Sequence, residues 1–204
     1  MKPVYIYSQT LWDEQWDLKS LIADANVRRR MSRLVKMGVA TGLKCWNNAG
    51  LTSENTAIIT ATQYGCLTDS EKFLRQMITC SETNLSPTPF IQSTFNTIGA
   101  QIALMKECRG YNMTYVNRSH SLYDALVDAA MLAIEGREVL LGYIDEETPV
   151  LRGVADRMRG VSIYDGAVFM VVTSIKPSCP HVEIETLDIL NRMTNTELID
   201  KLVG

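Results

Sequence analysis

The sequence from residue 110 to residue 135, GYNMTYVNRSHSLYDALVDAAMLAIE, decides the fold of this chain. Its pattern predicts a short strand over residues 113–116, then a tight turn, and then a helix over residues 121–135 that ends at Gly136. The apolar residues 139–144 predict a further strand directly after the helix. A strand, a helix and a strand in this order are typical of an α/β sheet that carries helices on its faces.

The predicted helix over residues 121–135 is apolar on nearly every side. A helix of this kind must be buried on most of its surface. Either the C-terminal segment of the chain or another subunit is expected to cover it, because a large exposed apolar face promotes aggregation. Its apolar residues are Leu122, Ala125, Leu126, Val127, Ala129, Ala130, Met131, Leu132, Ala133 and Ile134.

The rest of the chain alternates predicted strands and helices and then ends in consecutive strands. Gly50 is placed to end the first long helix, and Gly38 and Gly42 inside that helix indicate close packing against another backbone. Capping-box patterns at Thr68–Glu71 and Thr194–Glu197 mark two helix starts. This order predicts a mixed, mainly parallel sheet with helices on both faces. The predicted strands cover residues 4–7, 56–61, 167–173 and 182–187, and the long helices cover residues 24–48, 68–78 and 94–109.

The composition is that of an ordinary globular protein and predicts one domain over residues 1–204. The chain is 46% hydrophobic and has a formal net charge of −3, which argues against nucleic-acid binding. No apolar run is long enough for a membrane span, and the N-terminus lacks a secretory pattern, so a cytoplasmic location is expected. Five cysteines without Cys-x-x-Cys spacing predict free thiols, and no cofactor motif is found. The acidic residues 145–147 follow a strand without a histidine at ligand spacing, which predicts a solvated turn and no metal site.

Several segments together resemble the N-terminal half of the thiolase fold used by β-ketoacyl-acyl-carrier-protein synthases. The segment after Gly110 is similar to the family's nucleophile region, in which a strand leads to a cysteine at the start of a buried, alanine-rich helix. The other similar segments are residues 28–34, 62–65, 90–110 and 165–167. The resemblance covers residues 4–190 and implies a thiolase-like α/β fold.

Counted from Gly110, the family's cysteine position falls on Ser119. A helix N-terminus lowers the pKa of a thiol, whereas a serine hydroxyl gains much less and normally needs an adjacent base. The nearest candidate base is His120, but adjacent side chains on extended backbone point to opposite faces. The resemblance places the family's two catalytic histidines in a second half that this chain does not have. No catalytic residue is therefore expected, and helix capping is the simpler role for Ser119.

The resemblance implies a noncatalytic, half-length subunit that forms a dimer with a full-length ketosynthase or with a second copy of itself. That partner would be a 3-oxoacyl-acyl-carrier-protein synthase in fatty-acid, polyketide or aryl-polyene-type synthesis. Thr94 and Phe95 occupy the place of the family's tunnel-end residues, so this chain would shape the acyl tunnel of its partner. The family's dimer strand corresponds to Met113, Thr114, Tyr115 and Val116.

Two alternatives remain open. A serine-dependent acyltransferase or thioesterase would use Ser119, and it would need a base from outside the local sequence. A binding module would dock acyl carrier protein through a basic cluster, although a solvated helix face is the simpler interpretation of that cluster. The cluster consists of Arg28, Arg29, Arg30 and Arg33.

Overall fold

The computed structural model describes residues 2–80, 83–158, 163–184 and 186–203, and its strands form one six-stranded sheet. Three neighbouring strands in the middle of the sheet are runs of mostly apolar residues that are buried along almost their whole length, as expected of strands covered on both faces. The strands are β1 (Val4–Leu11), β2 (Thr56–Ala61), β3 (Asn112–Tyr115), β4 (Glu138–Asp145), β5 (Gly166–Thr173) and β6 (His181–Ile184), and their order across the sheet is β3-β2-β4-β5-β1-β6.

Helices cover both faces of this sheet, which confirms the predicted thiolase-like α/β class. One face carries α3 (Arg33–Ala49) and α6 (Thr97–Met105), and the other carries α7 (Ser121–Ile134) and α9 (Asn195–Val203). Across the described ranges, no helix is long and apolar enough to cross a membrane. The helices are α1 (Leu18–Leu21), α2 (Ala25–Arg30), α3 (Arg33–Ala49), α4 (Leu67–Thr79), α5 (Pro87–Gln92), α6 (Thr97–Met105), α7 (Ser121–Ile134), α8 (Pro149–Ala155) and α9 (Asn195–Val203).

The sheet is mixed, and its parallel part is smaller than the sequence predicts. β2 is parallel to both β3 and β4, because a helical crossover links each pair. The pairings of β4 with β5, β5 with β1 and β1 with β6 are antiparallel. Since β2, β3 and β4 are parallel, their carboxyl ends meet at one edge of the sheet, where ligand sites of α/β folds usually lie.

Several helix boundaries differ from the prediction because polar residues interrupt the apolar pattern. The helix expected over residues 24–48 is two helices, and Ser32 begins the second by accepting a hydrogen bond from the Val35 N–H. The helix expected over residues 94–109 is shorter at both ends, because α6 covers only Thr97–Met105, and a separate short helix, α5, precedes it. The capping box at Thr68 does not form, since α4 starts one residue earlier with Cys66 as its N-cap. At Thr194 the predicted box does form, and its backbone N–H lies 2.8 Å from Glu197 Oε2.

The two glycines inside α3 allow α6 to lie close to it. A Cβ at Gly42 would lie 2.5 Å from Ile102 Cδ1, and a Cβ at Gly38 would lie 2.8 Å from Ile98. The close packing predicted at these two glycines therefore exists, but the nearest atoms belong to side chains of α6 and not to another backbone. Gly50 has φ +67 and ends α3 in the left-handed conformation that glycine adopts without strain.

The C-terminal segment covers part of α7. Leu198, Ile199 and Leu202 of α9 are buried in the same apolar cluster as the inward face of α7. The outward face of α7 remains half-buried at Val127 and Ile134, and Met131 on the flank beside it is 62% exposed. The sequence suggests that either the C-terminal segment or another subunit covers this helix. The structure shows the C-terminal segment covering one side of it.

Replacing Leu198 by alanine tests how much α9 contributes to this core. Its side chain is fully buried, so Leu198→Ala should lower the free energy of unfolding by about 2 to 5 kcal/mol in urea titrations. The matched control is Ile189→Ala at a side chain that is 61% exposed, where a change within about 0.5 kcal/mol is expected. Equal effects of the two substitutions would show that α9 does not pack as described.

Candidate functional site

The segment between β3 and α7 is a strained turn stabilised by its own side chains. Arg118 has φ +51, the left-handed region that non-glycine residues rarely adopt. Ser121 is fully buried; its hydroxyl accepts from the Asn117 N–H at 2.8 Å and donates to the Arg118 carbonyl at 2.8 Å. Strained residues of this kind persist where surrounding contacts over-determine them, and such places are often functional sites.

Ser119 lies in the 3-10 segment Arg118–His120 and is partly exposed. Its Oγ is 3.2 Å from His120 Nδ1, so the expectation that the two side chains point to opposite faces is wrong. The reason is local geometry, because the expectation assumed extended backbone and the residues form a turn of 3-10 helix. The expected capping role is not seen either. The N–H of Leu122, three residues after Ser119, donates to Asn195 Oδ1 at 3.0 Å instead.

Asn195 joins the start of α7 to the carboxyl end of β4. It is 3% exposed, and its Nδ2 donates to the Arg118 carbonyl at 2.8 Å and to the Tyr143 hydroxyl at 3.0 Å. The same nitrogen is 3.4 Å from Gln63 Oε1 in the loop after β2. The sequence gives no sign of this role, because Asn195 lies inside the Thr194–Glu197 capping box, which indicates a helix start and no distant partner.

Asp145 ends β4 and is fully buried, so the prediction of a solvated turn at residues 145–147 is wrong for it. Its carboxylate accepts from Thr62 Oγ1 at 2.6 Å, from the Gln63 N–H at 2.9 Å and from the Tyr143 hydroxyl at 2.5 Å. Burial raises the pKa of Asp145, and these donors oppose the rise by stabilising the ionised form. Burial and the neighbouring Asp145 also raise the pKa of Tyr143, which keeps its hydroxyl as a donor.

Glu146 is also buried, at 4% exposure, and it lies near Thr68 and Asp69 of α4. Burial raises the pKa of Glu146 and the pKa of the nearby Asp69. Arg33 forms an ion pair with Asp165 at 2.8 Å, and the Glu147 N–H also donates to Asp165. Among the described residues, no group of three or more His, Cys, Asp and Glu side chains is arranged to hold a metal ion.

The four arginines of the basic cluster do not share one surface role. Arg28 bonds back to the carbonyls of Ile22 and Ala23, and Arg33 is held by its ion pair with Asp165. Arg29, Arg30 and Arg33 line a cavity of about 460 Å³ between α2, α4 and α5. Lys72 and the buried Asp69 contribute to the same cavity. Asp69 Oδ2 has no hydrogen-bond partner among the described residues.

Thr94 and Phe95 lie in the short connection between α5 and α6. Phe95 is 51% exposed, and its ring occupies the space that a Cβ at Gly65 would need. Thr94 Oγ1 is 2.8 Å from Thr97 Oγ1, which fixes the start of α6. An apolar groove of about 370 Å³ lies beside this connection and is lined by Val27, Met31, Val35, Ile91, Thr97 and Leu104.

β3 is an edge strand whose outer side has no partner among the described strands. The structure assigns it to Asn112–Tyr115, one residue earlier than the predicted Met113, Thr114, Tyr115 and Val116. Its inner side pairs with β2, and Thr114 Oγ1 lies 2.8 Å from Thr60 Oγ1. Exposed apolar side chains sit on the strand and on the elements that flank it, namely Phe95, Leu104, Met113, Val116 and Met131.

Comparison with known proteins connects this geometry to one family. The family model described as β-ketoacyl synthase, N-terminal domain, matches residues 9–188. No curated protein gives a significant sequence match. The solved structures that the chain resembles share its fold at low sequence identity.

Three of these structures illustrate the similarity. A chain in the complex of the ketosynthase ApeO with its chain length factor ApeC, from Xenorhabdus doucetiae, gives a TM-score of 0.66 at 18% identity, covering 82% of this chain and 77% of that one. The ishigamide ketosynthase/chain length factor gives 0.63 at 20% identity, covering 78% and 48%. The complex AntDE:AntF, a type II PKS acyl-carrier protein with its ketosynthase bound to the hexaketide, gives 0.70 at 12% identity, covering 85% and 62%. This chain therefore spans from about half to about three quarters of the chains it resembles.

Replacing Tyr143 by phenylalanine tests the buried polar network. Tyr143→Phe removes the closest side-chain donor to Asp145 and an acceptor of Asn195, and leaving buried polar groups unpaired costs about 1 to 3 kcal/mol. The measurement is urea unfolding near neutral pH. Tyr64→Phe is the matched control, because the Tyr64 hydroxyl accepts only from the neighbouring Gln63 side chain among the described contacts. A loss no larger than that of the control would contradict the network.

Proposed function

The chain belongs to the β-ketoacyl synthase family, and we propose that it is a noncatalytic ketosynthase-like subunit. In this proposal it pairs with a complete β-ketoacyl synthase and shapes the acyl tunnel of that enzyme, in fatty-acid, polyketide or aryl-polyene-type synthesis. The observation that carries the proposal is the serine at residue 119, the position that corresponds by resemblance to the family's nucleophilic cysteine. We further propose that residues 1–204 act as one domain in the cytoplasm, and the packing of α9 against α7 supports the single domain.

The surroundings of Ser119 support a noncatalytic role. His120 is the one histidine beside it, and His181 lies on β6 at the opposite edge of the sheet from β3. The backbone donors at the start of α7 are also used internally, since the His120 N–H bonds Asn117 O and the Leu122 N–H bonds Asn195. A site that stabilises a developing oxyanion needs free donors aimed at it.

The open edge of β3 supports pairing with a second sheet. An edge strand with exposed apolar neighbours invites strand addition, which would satisfy its outer N–H and C=O groups. Chains with this fold occur in solved complexes of a ketosynthase with a chain length factor. One such chain is similar to this one in length, because the match covers most of both. We propose an antiparallel pairing of β3 with the same strand of a full-length ketosynthase, or with a second copy.

The position of Phe95 supports a role in the acyl tunnel. It projects next to the β3 edge, where a partner in that pairing would contact it, and Thr114 of β3 lines the same small pocket. Gly65 leaves room for the ring, so the ring has a defined position although half of it is exposed. Thr94 is adjacent and is held by Thr97. We propose that these two residues close the far end of the partner's acyl tunnel.

The cavity lined by Arg29, Arg30 and Lys72 supports docking of acyl carrier protein. Acyl carrier proteins are acidic and carry a phosphate on the prosthetic arm, and cationic side chains around a cavity recognise both kinds of anion. A carrier protein is present in one of the similar complexes. We propose docking through Arg29, Arg30 and Arg33, which line this cavity, whereas Arg28 of the same cluster is bonded to the carbonyls of Ile22 and Ala23.

A second candidate function rests on the 3.2 Å contact between Ser119 Oγ and His120 Nδ1. That distance is within the reach of a nucleophile and its base, so a serine acyltransferase or thioesterase is the alternative. Two features count against it: the residue that would orient His120 is not found among its described contacts, and the donors at the start of α7 are occupied.

The first functional prediction concerns condensation. Incubated alone with acyl and malonyl carrier thioesters, the protein should form no 3-oxoacyl product, because Ser119 lacks a thiol and a second histidine is not beside it. Ser119→Cys should not create the activity for the same reason. Mass spectrometry of the products and of the protein gives the result. A 3-oxoacyl product without a partner would refute the proposal, and acylation of Ser119 that is lost in Ser119→Ala would establish the alternative.

The second functional prediction concerns product length in the reconstituted pair. Phe95→Ala should lengthen the acyl chains made by the partner ketosynthase, since a shorter side chain opens the end of the tunnel. The matched control is Phe90→Ala, at an exposed phenylalanine that contacts Phe73 on α4. Chain lengths are read by mass spectrometry of the released products. Unchanged lengths for Phe95→Ala and for Thr94→Phe would remove this role.

The third functional prediction concerns assembly. The Tyr115 carbonyl accepts from the Thr62 N–H, so the backbone groups of Tyr115 face β2 and those of Thr114 face the outer edge. Thr114→Pro removes an outer backbone donor and fixes φ, so it should break the dimer or make the protein insoluble. Light scattering on the parent and the variant measures the change. Val182→Pro on the opposite edge strand β6 is the control that should leave pairing at β3 intact. A parent protein that stays monomeric at micromolar concentration, and that captures no ketosynthase in a pull-down, would show that the edge is not an interface.

A further inference from the structure

Helix α7 is not capped by a residue of its own turn. Its N-cap position is His120, whose side chain makes no capping hydrogen bond. A side chain in the turn before a helix normally accepts from the N–H two or three residues later, and Ser119 stands three residues before Leu122. That N–H is instead accepted by Asn195 Oδ1, from the first residue of α9. The cap of α7 is therefore supplied by another helix.

The same asparagine also holds the strained residue of the turn. Asn195 Nδ2 donates to the carbonyl of Arg118, which also accepts from the Ser121 hydroxyl. A left-handed arginine costs free energy that these contacts offset. Asn195 is itself fixed, because the capping box at Thr194 starts α9 and Leu198 and Leu202 bury the helix against the α7 cluster.

We propose that Asn195 is a positioning residue that caps α7 in place of Ser119 and so leaves the Ser119 hydroxyl partly exposed beside His120. Without Asn195, we expect the Ser119 side chain to accept the Leu122 N–H, because Ser119 stands three residues before Leu122. The proposal does not depend on the proposed function, because it is the same whether the turn contacts a protein partner or an acyl group. Asn195 lies beyond residues 9–188, the part that matches the family model.

A thiol at position 119 provides the test, because its reactivity reports whether it accepts a backbone N–H. The starting protein carries Ser119→Cys together with Cys80→Ser and Cys179→Ser, since those two native cysteines are exposed. Three native cysteines are buried, and burial raises the pKa of Cys45 and of Cys66 to about 12. The rate of alkylation by iodoacetamide is then measured against pH, with mass spectrometry to locate the label.

Adding Asn195→Ala should free the Leu122 N–H for the thiolate at position 119 and lower the midpoint of the pH profile. A backbone donor at a helix N-terminus makes the thiolate about two- to fivefold more populated below the midpoint, and alkylation should accelerate by that factor. His120 is present in both proteins, so it does not account for a difference between them. Asn191→Ala, at an exposed asparagine just before α9, is the matched control and should leave the profile unchanged.

A second measurement guards against a variant that is simply destabilised. If Asn195 holds a strained Arg118, then Arg118→Gly should restore part of the melting temperature lost in Asn195→Ala, because glycine adopts φ +51 without strain. An unchanged alkylation profile in Asn195→Ala would overturn the proposal. Equal effects of Arg118→Gly in the parent and in Asn195→Ala would also overturn it, since independent residues act additively.

Discussion

Burial of α7 is the constraint on which most of the structure depends. Its apolar side chains must leave water, and the small residues Ala125, Ala129 and Ala133 let the helix lie close to the sheet. The helix follows β3 directly, so its start is fixed at the carboxyl end of that strand. β2 and β4 are parallel to β3 and end at the same edge of the sheet. The packing of α7 thus determines where the turn between β3 and α7 lies, whatever the side chains of the turn do.

The polar groups that meet at this edge are a consequence of that packing. Each parallel strand leaves a backbone end that needs partners, and a buried polar group without a partner is costly. At the end of β4, Asp145 accepts a hydrogen bond from the Gln63 N–H in the loop after β2. After the turn that follows β3, Asn195 accepts a hydrogen bond from the Leu122 N–H. Tyr143 connects the two, because it donates to Asp145 and accepts from Asn195. A single network therefore holds three strand ends and α9 in register, and the loss of one member leaves the others unpaired.

The sequence predicts those parts of the fold that depend on local periodicity. The strand over residues 56–61, helix α7 and the capping box at Thr194 are confirmed, since each is encoded within a few residues. The break at Ser32 was missed because a polar side chain can start a helix wherever tertiary packing permits, and the apolar pattern continues across it. The burial of Asp145 and the role of Asn195 were missed for a different reason. Apart from the contact between Asp145 and Tyr143, their partners lie 52 to 132 residues away along the chain, and no local pattern reports such contacts.

The turn at Ser119 lies between the protein interior, here called the closed side, and the unpaired edge of β3, here called the open side. On the closed side, α9 and Asn195 fix it from the interior. On the open side, β3 ends at Tyr115, two residues before Asn117 begins the turn, and the outer edge of β3 has no described partner. Any chain that paired with β3 would therefore meet a turn whose shape is already fixed from within. A preformed surface loses less conformational entropy on binding than a flexible one, so the interior contacts of Asn195 favour association at an edge that Asn195 itself does not touch.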